Sequence, residues 1–333
     1  MVRRHLIVRF RAMRLLLVLF SVCWCLVSAA QQPSLLERAG QEVSRVVERT
    51  LPAIVTVEAR IGGRLVRSSG FIIDSSGSVV CAAEGVRLQP QVSLYLSEGE
   101  PVRARVVGVD NITGLALLRP EVSLRLPALS WGDSERLPLG STLILIGNRS
   151  GLEGSVTVGT LGGKDRVGVR RDNQRVVLLL QFNGTVGSGE QGAPLLDSQG
   201  RVVGVMVGEL ASVEGAPVSP VAVVGFAVPS EIAQRVVNDL RTKGRAEHAW
   251  LGVDYQGLPA GVVVRRVAPN SPAQKAGIQV GDIITQFNDK PIRTASDLTR
   301  ELYFAQPNQR ITLTVQREGQ QVRLAVTLGV QSL

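Results

Sequence analysis

The chain has 333 residues, 44% hydrophobic and 20% charged, enough for two ordinary domains and too apolar for wholesale disorder. Two histidines (His5, His248) and three cysteines (Cys23, Cys25, Cys81) exclude zinc-finger and haem-type sites and any disulfide scaffold. Residues 1–30 hold five arginines and no acid, so much of the formal +9 sits there; the other charges are scattered, which argues against nucleic acid as a partner.

Residues 1–14 are Arg-rich, and 15–30, LLLVLFSVCWCLVSAA, are apolar and end in small residues. That is the three-part pattern of a secretory signal peptide at 1–30, cleaved after Ala30. The apolar run is short for a bilayer span of ~20 residues. The pattern predicts export to the periplasm or cell envelope, with membrane contact only where the segment is retained. Within 31–52, an amphipathic helix is expected over 33–50, with Leu35, Leu36, Val43, Val46 and Val47 on one side.

From 53 to 228 short apolar runs recur, among them AIVTVEAR, SVVCAA, TLILIGN, VVLLLQF and RVVGVMVG, punctuated by Gly, Pro, Asn, Asp and Ser. Many short strands with no long helix between them predict a mostly-β sandwich or barrel pair. Cys81, inside SVVCAA, reads as a small buried hydrophobe. Over 229–248, Ile232, Val236, Val237 and Leu240 fall at helical spacing and Gly244 stops the run, predicting a helical linker. Residues 249–333 carry strands such as GVVVRRV and ITLTVQR, with helix candidates at SPAQKAG and TASDLTRELYF, a compact α+β module.

The string Ser271-Pro272-Ala273 through Ala276-Gly277-Ile278 to Gly281-Asp282-Ile283-Ile284 resembles a PDZ domain of the bacterial, permuted type. Upstream, Ser69-Gly70-Phe71-Ile72-Ile73-Asp74, Asp110-Asn111-Ile112-Thr113-Gly114-Leu115-Ala116, Ile146-Gly147-Asn148 and Gly189-Glu190-Gln191-Gly192-Ala193-Pro194-Leu195 resemble the trypsin-like domain of the HtrA/Deg serine proteases. The resemblance implies a trypsin-like double β-barrel at 53–228 followed by a small α+β PDZ domain at 249–333.

It also implies a departure. The family's histidine falls on Glu84, its aspartate on Gly114 and its nucleophile on Gln191. A serine hydroxyl attacks only when an imidazole takes its proton and a carboxylate orients that imidazole. Residues 31–247 contain no histidine, so no such triad can be assembled there. Ser188 with Glu84 as base is the alternative pairing, but a carboxylate near pKa ~4.3 is a weak base for a hydroxyl. By resemblance the oxyanion loop is Gly189, Gln191 and Gly192, whose backbone N–H groups do not depend on the missing side chains. Glu84 and Gln191 are expected to hydrogen-bond across the former cleft.

In the PDZ module the resemblance places a carboxylate-binding loop at Trp250-Leu251-Gly252-Val253, a receiving strand from Asp254-Tyr255, and a side-chain pocket lined by Leu298 and Leu302. The stretch from Tyr255 to Gly261 is shorter than the family's. The leading expectation is an exported, proteolytically inactive homologue that binds unfolded or C-terminal peptides, chaperone-like or regulatory in envelope protein quality control. One alternative is an active endopeptidase with unorthodox residues; the other is a PDZ adaptor on a barrel scaffold. No metal or organic cofactor is expected. A homo-oligomer (a trimer by resemblance) or an active protease partner is expected, although residues 31–50 lack the aromatic residues of the family's trimer contact.

Overall fold

The computed structural model describes residues 34–331 except 98, 124–125, 171–174, 208–209, 214–223 and 260. The expected signal segment at 1–30 lies outside the described residues. Helix α1 (Leu35–Thr50) opens with reciprocal caps: Ser34 N–H donates to the Glu37 carboxylate at 2.7 Å, and Glu37 N–H to Ser34 Oγ at 3.2 Å. Val46 is buried on it, whereas Leu35 and Leu36 are exposed.

The first barrel has six strands: β1 (Ile54–Ile61), β2 (Arg64–Ile72), β3 (Val79–Ala82), β4 (Gln91–Tyr95), β5 (Val102–Asp110) and β6 (Leu115–Pro120). They close in the order β1-β2-β3-β6-β5-β4, which leaves no free edge. β3 is buried on both faces, as its unbroken apolar run requires. Cys81 lies in it, and burial pushes its thiol pKa far up.

The second barrel is built from β7 (Thr142–Arg149), β8 (Leu152–Arg170), β9 (Arg175–Asn183), β10 (Pro194–Leu196), β11 (Val202–Met206), β12 (Leu210–Val213) and β13 (Val224–Pro229). Pairing of β8 with β9 closes six of them, and β12 is added outside β8. β8 runs 19 residues, well beyond the apolar run that announces it, and its pairing with β9 shifts register at three places. Helix α2 (Ser230–Lys243) packs on β5 and β6 of one barrel and on β11 and β13 of the other, burying Ile232, Val236, Val237 and Leu240. Gly244, at φ 72°, ends it by donating its N–H to Leu240 O at 3.0 Å. The expected linker helix is thus a packed element that bridges both barrels.

The C-terminal module comprises β14 (Ala249–Trp250), β15 (Val253–Leu258), β16 (Gly261–Val267), α3 (Pro272–Lys275), β17 (Ile283–Phe287), β18 (Lys290–Pro291), α4 (Ala295–Phe304), β19 (Arg310–Arg317), β20 (Gln320–Thr327) and β21 (Gly329–Val330). Its main sheet runs β15-β16-β17-β19-β20 around a core that includes Val262, Val264, Ile284, Leu298, Leu313 and Val315. Ser271 Oγ accepts the Gln274 N–H, and Pro272 opens α3, as the SPAQKAG string predicts. Thr294 and Asp297 form a capping box on α4. Arg300 on α4 pairs with Glu135, in the segment between the two barrels, at 2.5 Å and with Asp165 on β8 of the second barrel at 2.6 Å. The mostly-β architecture expected from the sequence is the one observed.

Candidate functional site

Three segments converge where the barrels meet. Ser69 on β2 donates its N–H to Gln191 O at 2.9 Å, and its hydroxyl donates to Gly189 O at 2.7 Å while accepting the Asn148 N–H at 2.8 Å. Gly192, at φ 84°, lies so close to the neighbouring strands that a Cβ would sit 2.2 Å from Ser69 O and 2.5 Å from Ala82 N. Only glycine fits there. Ala83 N–H donates to Gly114 O at 2.8 Å. These bonds bring the segments carrying Glu84, Gly114 and Gln191 to one place.

The side chains do not form the expected seal. Glu84 is exposed, and among the described residues no hydrogen bond joins it to Gln191. Gln191 instead folds back along its own loop, where Oε1 accepts the Gly189 N–H at 2.8 Å. A two-residue reach within one loop wins over a bond across the cleft, because it orders only one segment. Beneath the loop Glu190 is fully buried; its Oε2 accepts the Gly187 N–H at 2.6 Å and pairs with Arg149 Nε at 3.2 Å. Ser188 is exposed, and among the described residues its hydroxyl has no partner. Among the same residues no cluster of three or more His, Cys, Asp or Glu could hold a metal ion.

The second constellation lies in the C-terminal module. β15 is the end strand of its sheet, and a groove of about 380 Å³ runs beside it. The loop Trp250-Leu251-Gly252-Val253 lines one end, with Gly252 at φ 84°. Among the described residues the N–H groups of Leu251 and Gly252 donate to no acceptor. Leu302 lines the groove, but Leu298 does not. The phase of α4 sends Leu298 into the core, fully buried, and turns Thr299 to the groove, where its hydroxyl lies 2.5 Å from the Tyr255 hydroxyl on β15. The expected pair of leucines is therefore one leucine and one threonine.

His248 and Ile112, neither assigned a role from the sequence, also line this groove. His248 Nε2 lies 3.0 Å from Asp110 Oδ1, and both side chains are buried. A carboxylate only accepts, so Nε2 carries the proton. Asp110 also accepts the Ile112 N–H at 3.2 Å, the Thr113 N–H at 3.1 Å and the Thr113 hydroxyl at 2.6 Å. Burial alone would raise the Asp110 pKa, but the hydrogen bonds from His248 and Thr113 outweigh it and hold the carboxyl below its ordinary value. The His248 ring stands edge-on to Tyr303, with centroids 5.6 Å apart. The Asp-x-x-Thr spacing marks Asp110 as a turn capper. Its partner 138 residues away leaves no sequence signal.

Comparison with known proteins finds two family models, a trypsin-like peptidase domain over residues 68–205 and a PDZ domain over 249–328. The chain is 32% identical over 279 residues to the probable periplasmic serine endoprotease DegP-like of Chlamydia trachomatis, covering 79% of this chain and 54% of that protein. It is 32% identical over 285 residues to the putative serine protease HhoB of Synechocystis, covering 78% of this chain and 66% of that one. The chain thus spans about half the length of the first of these relatives. Among solved structures, the HtrA-type protease AlgW with tripeptide superposes with a TM-score of 0.74 at 24% identity, covering 87% of this chain and 97% of that one.

Proposed function

This chain is a homologue of the DegP/HtrA serine endoproteases, a trypsin-like peptidase domain followed by a PDZ domain, and on that footing we propose that it is an exported peptide-binding protein that does not hydrolyse peptide bonds. The observation that carries this reading is the Gln191 side chain, turned onto the Gly189 N–H at 2.8 Å. A carboxamide is no nucleophile, and Gly114 has no side chain to orient a base. Glu84 is an exposed carboxylate. The one imidazole of residues 31–333 belongs to His248, whose Nε2 is engaged by Asp110 beside the groove. The Gln191 amide oxygen takes the donor that a substrate carbonyl would need, and loss of one such donor costs about 10²–10³ in kcat by itself.

The peptide-binding half of the reading rests on the free edge of β15, the unengaged N–H groups of Leu251 and Gly252, and the adjoining groove. An extended C-terminal segment would add as a strand, with its carboxylate on those N–H groups. The tripeptide bound by AlgW supports a ligand of this class. Relatives named as periplasmic support the same compartment, where the protein would act in protein quality control, alone, as a homo-oligomer or beside an active protease.

The relatives are also named serine proteases, which favours a second reading, hydrolysis by unorthodox residues such as Ser188 with Glu84. Suppression of aggregation of an unfolded protein, without its cleavage, is the expected result; cleavage would overturn the first reading. If the PDZ module is the sole active part, Leu302→Ala abolishes that suppression.

A further inference from the structure

The groove beside α4 is not walled by the PDZ module alone. Ile112 belongs to the first barrel, in the turn between β5 and β6, yet lines the same cavity as Leu251, Val253 and Leu302. It is half-buried, an apolar side chain on a tight turn. The turn is held from two sides. Asp110 caps it through the Ile112 and Thr113 N–H groups, and the same carboxylate takes the Nε2–H of His248. His248 immediately precedes the module, lines the cavity itself, and is braced edge-on by Tyr303 of α4. A peptide terminus seated on the Leu251 and Gly252 N–H groups would aim its last side chain into this cavity.

We infer that Ile112 is a ligand contact, and that the first barrel sets which C-terminal residue the groove accepts. His248 is the positioning residue, acting through Asp110 on the turn that carries Ile112. The inference rests on the peptide-binding reading above. With Ile112 in place the cavity suits a terminal Val or Leu. Its truncation removes apolar contact from such residues and makes room for a larger one. Ile112→Ala keeps the backbone N–H that Asp110 accepts, so the cap survives.

The test uses the full chain and fluorescein-labelled free-acid peptides ending in Val, Leu or Phe, with binding read by anisotropy and folding by thermal melts. Ile112→Ala is expected to weaken the Val- and Leu-ended peptides about 5–30-fold and to spare the Phe-ended one, shifting the Phe-to-Val preference by about tenfold. His248→Leu should shift the same ratio, and His248→Gln, which keeps a side-chain N–H for Asp110, should restore it. Loss of fold alone would weaken all peptides together and leave the ratio in place. Leu302→Ala reports on the groove independently. Binding that Leu302→Ala abolishes, with a ratio unmoved by Ile112→Ala, overturns the inference and leaves the peptide-binding reading standing. A wild type that binds none of the free-acid peptides overturns both.

Discussion

Asp110 is more acidic folded than unfolded, because the bonds it accepts from His248 and Thr113 outweigh its burial. Such a carboxyl stabilises the fold above its unfolded pKa of about 3.9, and that contribution is lost as pH falls through the lower folded value. Asp110→Asn is therefore expected to cost about 1–3 kcal/mol at pH 7 and to flatten the stability loss on acidification. Urea unfolding at pH 7 and pH 3 measures both; an acid slope equal to the wild type's would show that this carboxyl contributes none of it. Cys81 behaves in the opposite way, since burial holds its thiol protonated. Native protein at pH 8 should leave Cys81 unalkylated, and urea-unfolded protein should not. Peptide mapping separates its signal from those of Cys23 and Cys25.

Two glycines with similar backbone angles separate strain from packing. Gly63 closes the hairpin between β1 and β2 at φ 81°, with open space where a Cβ would stand. Gly192 has φ 84°, but its Cβ would strike Ser69 O and Ala82 N. Gly63→Ala should cost about 1–2 kcal/mol from the left-handed conformation alone. Gly192→Ala should cost about 3 kcal/mol or more, because neighbouring backbone must move as well. Thermal melts of both variants test the difference, and equal costs would mean that the loop holding Gln191 yields freely. Elements like these were legible where the signal is local. Ser271-Pro272 at the start of α3 and Gly244 at the end of α2 stand where their chemistry demands. Leu298 lies in the core and not in the groove, a distinction hidden in the sequence because i and i+4 spacing puts two leucines on one side of a helix without saying where the groove begins. The length of β8 was hidden because its outer stretch, including Lys164, Asp165 and Arg166, is polar.

At the scale of the whole chain, the PDZ core is built within residues 249–328, so residues 249–333 should fold when expressed alone. That fragment lacks Ile112, Asp110 and His248. It should bind free-acid peptides with less discrimination between terminal Val and Phe than the full chain; identical selectivity would remove the barrel from ligand recognition. The two-barrel-plus-PDZ architecture was legible because its motifs are contiguous strings. The absence of histidine from 31–247 was equally plain by counting. The joining of Asp110 to His248 was not legible, since only the docking of the module on the first barrel brings them within 3.0 Å. The turn of Gln191 onto Gly189 is not legible for a different reason: a long side chain in a glycine-rich loop has several partners within reach, and spacing does not choose among them.

The proposed loss of protease chemistry is tested most directly by incubating the purified full chain with an unfolded protein and, in parallel, with a fluorophosphonate that labels activated serines. The expected result is an intact substrate and no labelled residue. Cleavage of the substrate, with label mapping to Ser188, would contradict it.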